Sequence, residues 1–133
     1  MPDASTMSSL IVASVALLFV HIAVQAITVT RELGSRWNAG PRDGGLRPEG
    51  KLAGRAERAL RNYLETFPAF GLLALALFIA GRADGAGMTG AWLWLAARVV
   101  YLPLYIGGVP YLRSLVWTVA AIGLTMMVWR LVA

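Results

Sequence analysis

The stretch that decides the fold opens the second of four hydrophobic blocks and reads Arg58-Ala-Leu-Arg61-Asn62-Tyr-Leu-Glu65-Thr-Phe-Pro68-Ala-Phe70. The residues that follow are apolar to about residue 80, so a polar cluster leads into a segment hydrophobic enough to enter a bilayer. At 3.6 residues per turn, the two arginines, the asparagine and the glutamate share one helix face. Polar side chains on one face of a hydrophobic helix are costly in lipid and usually line a site.

The composition favours a membrane protein. Of the 133 residues, 58% are hydrophobic and only 14% are charged. The apolar residues form blocks at about 9–29, 62–80, 91–106 and 112–131, and each block is near the roughly 20 residues that a helix needs to cross hydrocarbon. Open sheets cannot satisfy their backbone hydrogen bonds in lipid. The sequence therefore predicts an all-α fold, an integral membrane four-helix bundle that forms one domain over residues 1–133.

The net charge of +5 is concentrated around the first connection between blocks. Residues 31–61 hold eight basic and four acidic side chains. A basic stretch can indicate nucleic acid binding, but this one lies between two spans, and the positive-inside rule explains it more simply. We therefore expect the loop at 32–57 to be cytoplasmic, both termini to lie on the other side, and nucleic acid not to be a partner.

The absence of cysteine limits the reactions and metal sites that the chain's own side chains can provide. Without it the chain has no disulfide, no thiolate metal ligand and no thiol nucleophile of its own. The sequence contains no Gly-rich phosphate loop, no Ser/His/Asp set and no metal-ligand spacing, so we expect neither hydrolase nor nucleotide chemistry and no metal. His21 and Gln25 lie four residues apart in the first block, where we expect hydrogen bonds between helices. Sulfur chemistry would require a substrate that brings its own thiol.

The predicted topology brings polar residues of three spans to one membrane depth. The second half of the third block contains Arg98, and the fourth block begins near Arg113. A cation in the middle of a span costs about 2.5–3.5 kcal/mol and needs a carboxylate or a cavity. Glu65 is the natural partner of Arg98, so a structural ion pair is one interpretation and a polar pocket is the other.

A structural interpretation is also open for the remaining residues of this group. Arg58 and Arg61 can extend to lipid headgroups or pair with Glu65, and Arg113 can be a membrane anchor. Tyrosines near helix ends commonly form an aromatic belt. Because Tyr101 and Tyr105 share a helix face with Arg98, the pattern favours hydroxyls that point into a pocket.

These motifs resemble those of a known family over nearly the whole chain. They are Arg58-x-x-Arg61-Asn62-x-x-Glu65-x-x-Pro68, then Arg98-x-x-Tyr101-x-x-x-Tyr105, followed by Arg113-Ser114. The sequence resembles the membrane-associated proteins in eicosanoid and glutathione metabolism (MAPEG). The resemblance implies a homotrimer of four-helix protomers that binds glutathione between adjacent subunits near the cytoplasmic face. The short chain and its Gly/Pro-rich first loop favour a bacterial-type member, located in the inner membrane.

The resemblance also implies roles for individual residues. Arg113 matches the arginine assigned to thiol activation, and Ser114 matches its neighbour, also proposed for catalysis. The residues that match glutathione-binding positions are Arg31, Arg58, Arg61, Asn62, Glu65, Arg98, Tyr101 and Tyr105.

The implied activity is that of a microsomal-type glutathione transferase or peroxidase. Such an enzyme activates the thiolate of glutathione, its bound cosubstrate, for attack on lipophilic electrophiles or hydroperoxides, with membrane lipids and copies of itself as further partners. One alternative is a non-catalytic lipid-binding or regulatory scaffold, because the family contains a member that presents lipid without turning it over. A small transporter is the other, although the sequence has no internal repeat or discontinuous helix pair.

Overall fold

The computed structural model describes residues 2–133, and over that range the chain is all-helical. Its helices are α1 (Pro2–Leu33), α2 (Ser35–Ala39), α3 (Lys51–Ile79), α4 (Gly85–Ile106) and α5 (Pro110–Val132). All except the five-residue α2 are long and apolar enough to cross a membrane. The prediction of an all-α bundle with four spanning helices is thus confirmed.

All four spanning helices begin earlier than their hydrophobic blocks do, and α3 and α4 show why. The first connection ends at Gly50, because residues 51–61 are rich in alanine, leucine, lysine, arginine and glutamate, which favour helix even where they are too polar to enter lipid. The hydrophobic blocks leave residues 81–90 as a glycine-rich connection between the second and third spans, yet α4 begins at Gly85. Tertiary packing overrides the poor helix propensity of glycine here, since Gly87 and Gly90 are buried against neighbouring helices.

The most extensive helix contact joins α4 to α5, and the next joins α1 to α3. The α4–α5 crossing is closest at Gly90 and Gly123, where a Cβ atom at position 123 would lie 2.6 Å from the carbonyl oxygen of Gly90. Small residues let helix backbones approach closely in membranes. Because α3 also contacts both α4 and α5, the three helices that carry nine of the ten predicted site residues meet in one protomer.

An aromatic layer holds the middle of the bundle together. Phe70 of α3 stacks on Trp94 of α4 with ring centroids 4.1 Å apart, and both side chains are fully buried. His21 of α1 stacks on Tyr63 of α3 at 4.5 Å. The expected hydrogen bond from His21 to another helix is wrong, because its Nδ1 bonds instead to the carbonyl oxygen of Leu17, one turn back in α1.

Polar contacts tie the helix ends together. At one end of the bundle, Arg82 donates to the last carbonyl groups of α5 and Arg130 forms a 2.7 Å ion pair with Asp84. At the other end, the Glu32 carboxylate accepts hydrogen bonds from the backbone N–H groups of residues 49 and 50, where α3 begins. Arg55 donates to the carbonyl oxygen of Ile106 at the end of α4. These bonds fix how α3 enters the bundle beside α4.

Candidate functional site

A cavity of about 320 Å³ opens where α3, α4 and α5 meet. Its walls are Arg58, Arg61, Asn62 and Glu65 of α3, Tyr101 and Tyr105 of α4, and Arg113 of α5. This volume falls within the range typical of small-molecule sites, about 300–1,000 Å³. The structure therefore places seven of the ten predicted site residues around one opening, although they come from three separate parts of the sequence.

A second cavity, of about 350 Å³, adjoins the first. The two share Asn62, Tyr101 and Arg113, and the second is completed by Ser114, Trp117 and Thr118 of α5. The Ser114 hydroxyl lies in its wall and donates a 3.3 Å hydrogen bond to the carbonyl oxygen of Pro110 in the same helix. Arg113 and Asn62 therefore stand at the boundary between a strongly charged cavity and one with a larger apolar wall.

Arg98 lies behind the first cavity and is completely buried. Its Nη1 donates a 2.8 Å hydrogen bond to Oδ1 of Asn62, and its guanidinium lies over the Tyr101 ring at 4.4 Å. The ion pair with Glu65, one of the two interpretations open for Arg98, is absent from the described residues, because Glu65 is exposed to the cavity while the shorter Asn62 side chain reaches inward. The buried cation thus holds one wall of the cavity through Asn62.

The positive charge of the cavity is only partly neutralised. Arg61 forms a 3.1 Å ion pair with Glu57, one turn back in α3, but both side chains are largely exposed and such pairs contribute little to stability. The alternative in which Glu65 pairs with Arg58 or Arg61 is not found among the described residues. Three arginines therefore face the cavity with one glutamate.

The arginines differ in how they are held. The Arg58 guanidinium lies against Gly54, where a Cβ atom would come within 3.2 Å of its Nη1. The Arg113 guanidinium lies over the Tyr105 ring, 4.5 Å from its centroid. A cation stacked on an aromatic ring is oriented without losing its N–H donors. Arg113 can therefore present those donors to a ligand in either cavity.

This arrangement suits a small, multiply charged organic ligand. Arginine binds carboxylates through two parallel hydrogen bonds, and Glu65 supplies the complementary charge for an ammonium group. Within residues 4–133, no three histidine, aspartate or glutamate side chains are grouped so that they could hold a metal ion.

Arg31 is the predicted site residue that lies apart. It is exposed in the last turn of α1 and lines neither cavity. Sequence reasoning missed Trp117 and Thr118, although both lie one helical turn beyond Arg113 and Ser114 and so share their face. It also missed Tyr63, whose place in an apolar run gave no sign that its ring lies 5.4 Å from the Arg98 guanidinium.

Comparison with known proteins identifies the family. Residues 10–133 match the MAPEG family, a range that includes every residue of both cavities. No curated protein and no solved structure matches the chain. The match and the four spanning helices agree with the motifs in α3, α4 and α5. The chain therefore belongs to the MAPEG family and is an integral membrane protein.

Proposed function

We propose that the protein is a glutathione-dependent membrane enzyme. It activates the thiol of glutathione for conjugation to lipophilic electrophiles or for reduction of lipophilic hydroperoxides. One observation carries the proposal: in a member of a family that includes glutathione transferases and peroxidases, three arginines and a glutamate surround a single cavity at the α3–α4–α5 junction.

The charges of glutathione complement those of the cavity. Glutathione has two carboxylates, one ammonium group and one thiol. Arg58 and Arg61 would bind the carboxylates, since guanidinium groups match their geometry, and Glu65 would accept hydrogen bonds from the ammonium. Because Oδ1 of Asn62 is occupied by Arg98, the Asn62 amide is left to donate toward the ligand through its NH₂ group. The Tyr101 and Tyr105 hydroxyls add further hydrogen-bonding groups.

Arg113 would activate the thiol. An ordinary thiol has a pKa of about 8.5 and is only a few per cent thiolate at neutral pH. A permanent positive charge beside the sulfur favours the anion, at about 1.4 kcal/mol for each unit by which the pKa falls. Arg113 is the arginine that reaches both cavities, so it would hold the sulfur where a second substrate can approach. Ser114 follows it, and its hydroxyl would donate to the sulfur once it rotates away from the Pro110 carbonyl oxygen to which it now donates.

The second cavity would receive the lipophilic substrate. Trp117 gives it an apolar wall, and the neighbouring surface of α5 exposes leucine and isoleucine side chains that lie at membrane depth. In conjugation, the thiol first loses its proton to water, the thiolate sulfur then forms a bond to the electrophilic carbon, and the bond from that carbon to its leaving group breaks, so that the leaving group departs with the electron pair. In peroxide reduction, two glutathione molecules are oxidised to the disulfide while the hydroperoxide becomes an alcohol and water.

We also propose that the protein is a homotrimer of the bacterial type, in the inner membrane with loop 32–57 cytoplasmic. The basic character of that loop supports the orientation. The apolar side chains that α5 exposes in one protomer are available to lipid or to a second copy. Arg31 lies outside its own protomer's cavities, and in a trimer it would contribute to the site of a neighbouring subunit.

Binding of glutathione to the purified protein in detergent tests the proposal. We expect saturable binding that weakens roughly 10- to 100-fold in Arg58→Gln and in Glu65→Gln, because each loses a charged hydrogen bond worth about 1.5–3 kcal/mol. Arg36→Gln is the matched control, since it removes one positive charge from an exposed position outside both cavities. If the unmodified protein does not bind glutathione, the enzyme proposal fails and a transporter or scaffold takes its place.

Turnover separates the enzyme from a scaffold. We expect the protein to conjugate glutathione to a model electrophile such as 1-chloro-2,4-dinitrobenzene, or to reduce a lipid hydroperoxide, and Arg113→Ala to do so far more slowly. Saturable binding without either reaction would favour the non-catalytic scaffold. If Arg113→Ala reacts as fast as the unmodified protein, the role given to Arg113 is wrong.

A further inference from the structure

A third cavity, of about 410 Å³, lies apart from the proposed glutathione site. It is enclosed by the end of α1, by α2, by the first loop and by an early turn of α3, and it shares no residue with the other two cavities. Its apolar walls are Val29, Trp37, Leu46 and Pro48, and the charged residues at its edge are Arg47 and Glu57. The glutathione-dependent function gives it no role.

The cavity lies at the depth where hydrocarbon gives way to water. Val29 belongs to the last turns of the first spanning helix, and Trp37 follows in the short helix α2 outside that span. Tryptophan is enriched at this interface because its ring is apolar and its N–H is polar. On the face of α1 that carries Gln25 and Val29, Ile22 is an exposed apolar side chain deeper in the span. A ligand here can place one part in water and another in lipid.

Two polar groups of the cavity, the Arg47 guanidinium and the Trp37 indole N–H, lack partners among the described residues. Arg47 forms no hydrogen bond or ion pair with any other described residue, and the neighbouring Glu57 is paired with Arg61. The Trp37 indole N–H is buried without an acceptor in the described part of the chain. An anionic group at the cavity would satisfy Arg47, and reorientation of Trp37 would let the indole donate to the same group.

The surrounding loop carries more positive than negative charge. Arg31, Arg36 and Lys51 are exposed and lie within a few residues of the cavity's lining residues in the sequence, whereas the Glu32 carboxylate is bound by two backbone N–H groups. Clusters of basic residues directly outside a spanning helix attract anionic lipid headgroups. A free phosphate would gain nothing from the four apolar walls, while a phospholipid would use both the charge and the walls.

We propose that this cavity binds one anionic phospholipid. Its phosphate lies against Arg47, and the upper part of an acyl chain packs on Val29, Leu46 and the exposed face of α1. The bound lipid holds the first loop against the start of α3. The inference does not depend on glutathione binding.

Quenching of tryptophan fluorescence by brominated lipid tests this site. The full chain is reconstituted into vesicles of phosphatidylcholine that contain a minor fraction of phosphatidylglycerol, with bromine near the top of the acyl chain of one lipid or the other. Because the chain has five tryptophans, the Trp37 signal is the difference between the unmodified protein and Trp37→Phe. We expect phosphatidylglycerol to quench this signal at a lower fraction than phosphatidylcholine does.

The decisive variants are Arg47→Gln and Arg36→Gln, which remove the same charge from the segment between α1 and α3, but only Arg47 lines the cavity. We expect Arg47→Gln to reduce the preference for phosphatidylglycerol about fivefold, Arg36→Gln to leave it nearly unchanged, and Arg47→Lys to restore most of it. Equal losses in both glutamine variants would assign the preference to the basic loop as a whole and overturn the site. Equal quenching by the two lipids, or full displacement by inorganic phosphate, would also overturn it.

Discussion

Replacing Tyr63 tests how the bundle positions the proposed site, because this side chain connects three helices. Its hydroxyl donates to the carbonyl oxygen of Ser14 in α1, and its ring stacks on His21 of the same helix. The Arg98 guanidinium of α4 lies 5.4 Å from the ring centroid. Arg98 in turn donates to Asn62, which lines both cavities. The Tyr63 ring therefore does not touch the cavity but supports its Asn62 wall through Arg98.

Two substitutions separate the contribution of the hydroxyl from that of the ring. Tyr63→Phe keeps the ring and loses one hydrogen bond, so we expect it to lower the free energy of unfolding by about 1 kcal/mol. Tyr63→Leu also loses aromatic contacts worth about 0.5–1.5 kcal/mol each and a buried cation–π contact of about 2 kcal/mol. These contributions add up to more than about 4 kcal/mol. Because the leucine side chain refills part of the space, we expect a net loss of roughly 3–5 kcal/mol for Tyr63→Leu.

Unfolding in detergent and glutathione titration of the folded protein provide the two measurements. Because Tyr63→Leu frees the Arg98 side chain that holds Asn62, we expect it to weaken glutathione binding as well, whereas Tyr63→Phe leaves binding almost unchanged. If both variants lose the same stability, the ring contacts contribute nothing and the reasoning is refuted. If Tyr63→Leu is strongly destabilised but binds glutathione normally, Asn62 does not depend on this contact.

Four further substitutions test the fold through the free energy of unfolding. Gly123→Ala places a Cβ atom 2.6 Å from a backbone oxygen of α4, so it should lower the free energy of unfolding by about 1–3 kcal/mol. Gly71→Ala, with open space around it, should raise it by up to about 1 kcal/mol. Equal effects of the two substitutions would contradict the close α4–α5 crossing. Asp84→Asn removes the partly exposed ion pair with Arg130 and should cost less than about 1 kcal/mol, so a loss several times larger would mean that the pair is essential. Glu32→Gln weakens the acceptor for two backbone N–H groups and should cost about 1 kcal/mol, while no loss at low salt would show that this contact does not stabilise the start of α3.

The spanning helices were predictable because the hydrocarbon of a membrane imposes two strict requirements on the chain, one on length and one on backbone hydrogen bonding. The hydrocarbon sets the length of each block, and the need to satisfy every backbone hydrogen bond in lipid selects helices. The helical period placed Arg58, Arg61, Asn62 and Glu65 on one face, and the structure places them in one cavity wall. The order of the spans then indicated which helix ends would meet.

The inner partner of Arg98 was not predictable, because Asn62 and Glu65 share a face one turn apart. The helical period predicts that both side chains point toward α4. Which of them reaches the buried Arg98 guanidinium depends on the rotation of α3 about its axis and on the length of each side chain. The early start of α4 was missed for a related reason. Its glycines have a poor helix propensity, and they stabilise α4 only because they let α5 approach closely at Gly123.

The third cavity could not be predicted from the sequence, for a different reason. Its residues come from α1, α2, the irregular first loop and α3, and the loop residues Leu46 and Arg47 follow no period. From the sequence, the positive charge of this glycine- and proline-rich connection predicted only the side of the membrane on which it lies. The way the loop folds back over the end of α1 depends on contacts such as that of Glu32 with the start of α3.

The ultraviolet absorbance of the glutathione thiolate tests the central claim most directly. On mixing at neutral pH, we predict a thiolate band that saturates with glutathione in the unmodified protein and is absent with S-methylglutathione. Arg113→Ala should still bind glutathione, because Arg58, Arg61 and Glu65 remain in the cavity, but should show little of the band. A protein that binds glutathione without any thiolate band, or an undiminished band in Arg113→Ala, would contradict the proposed activation of the thiol by Arg113.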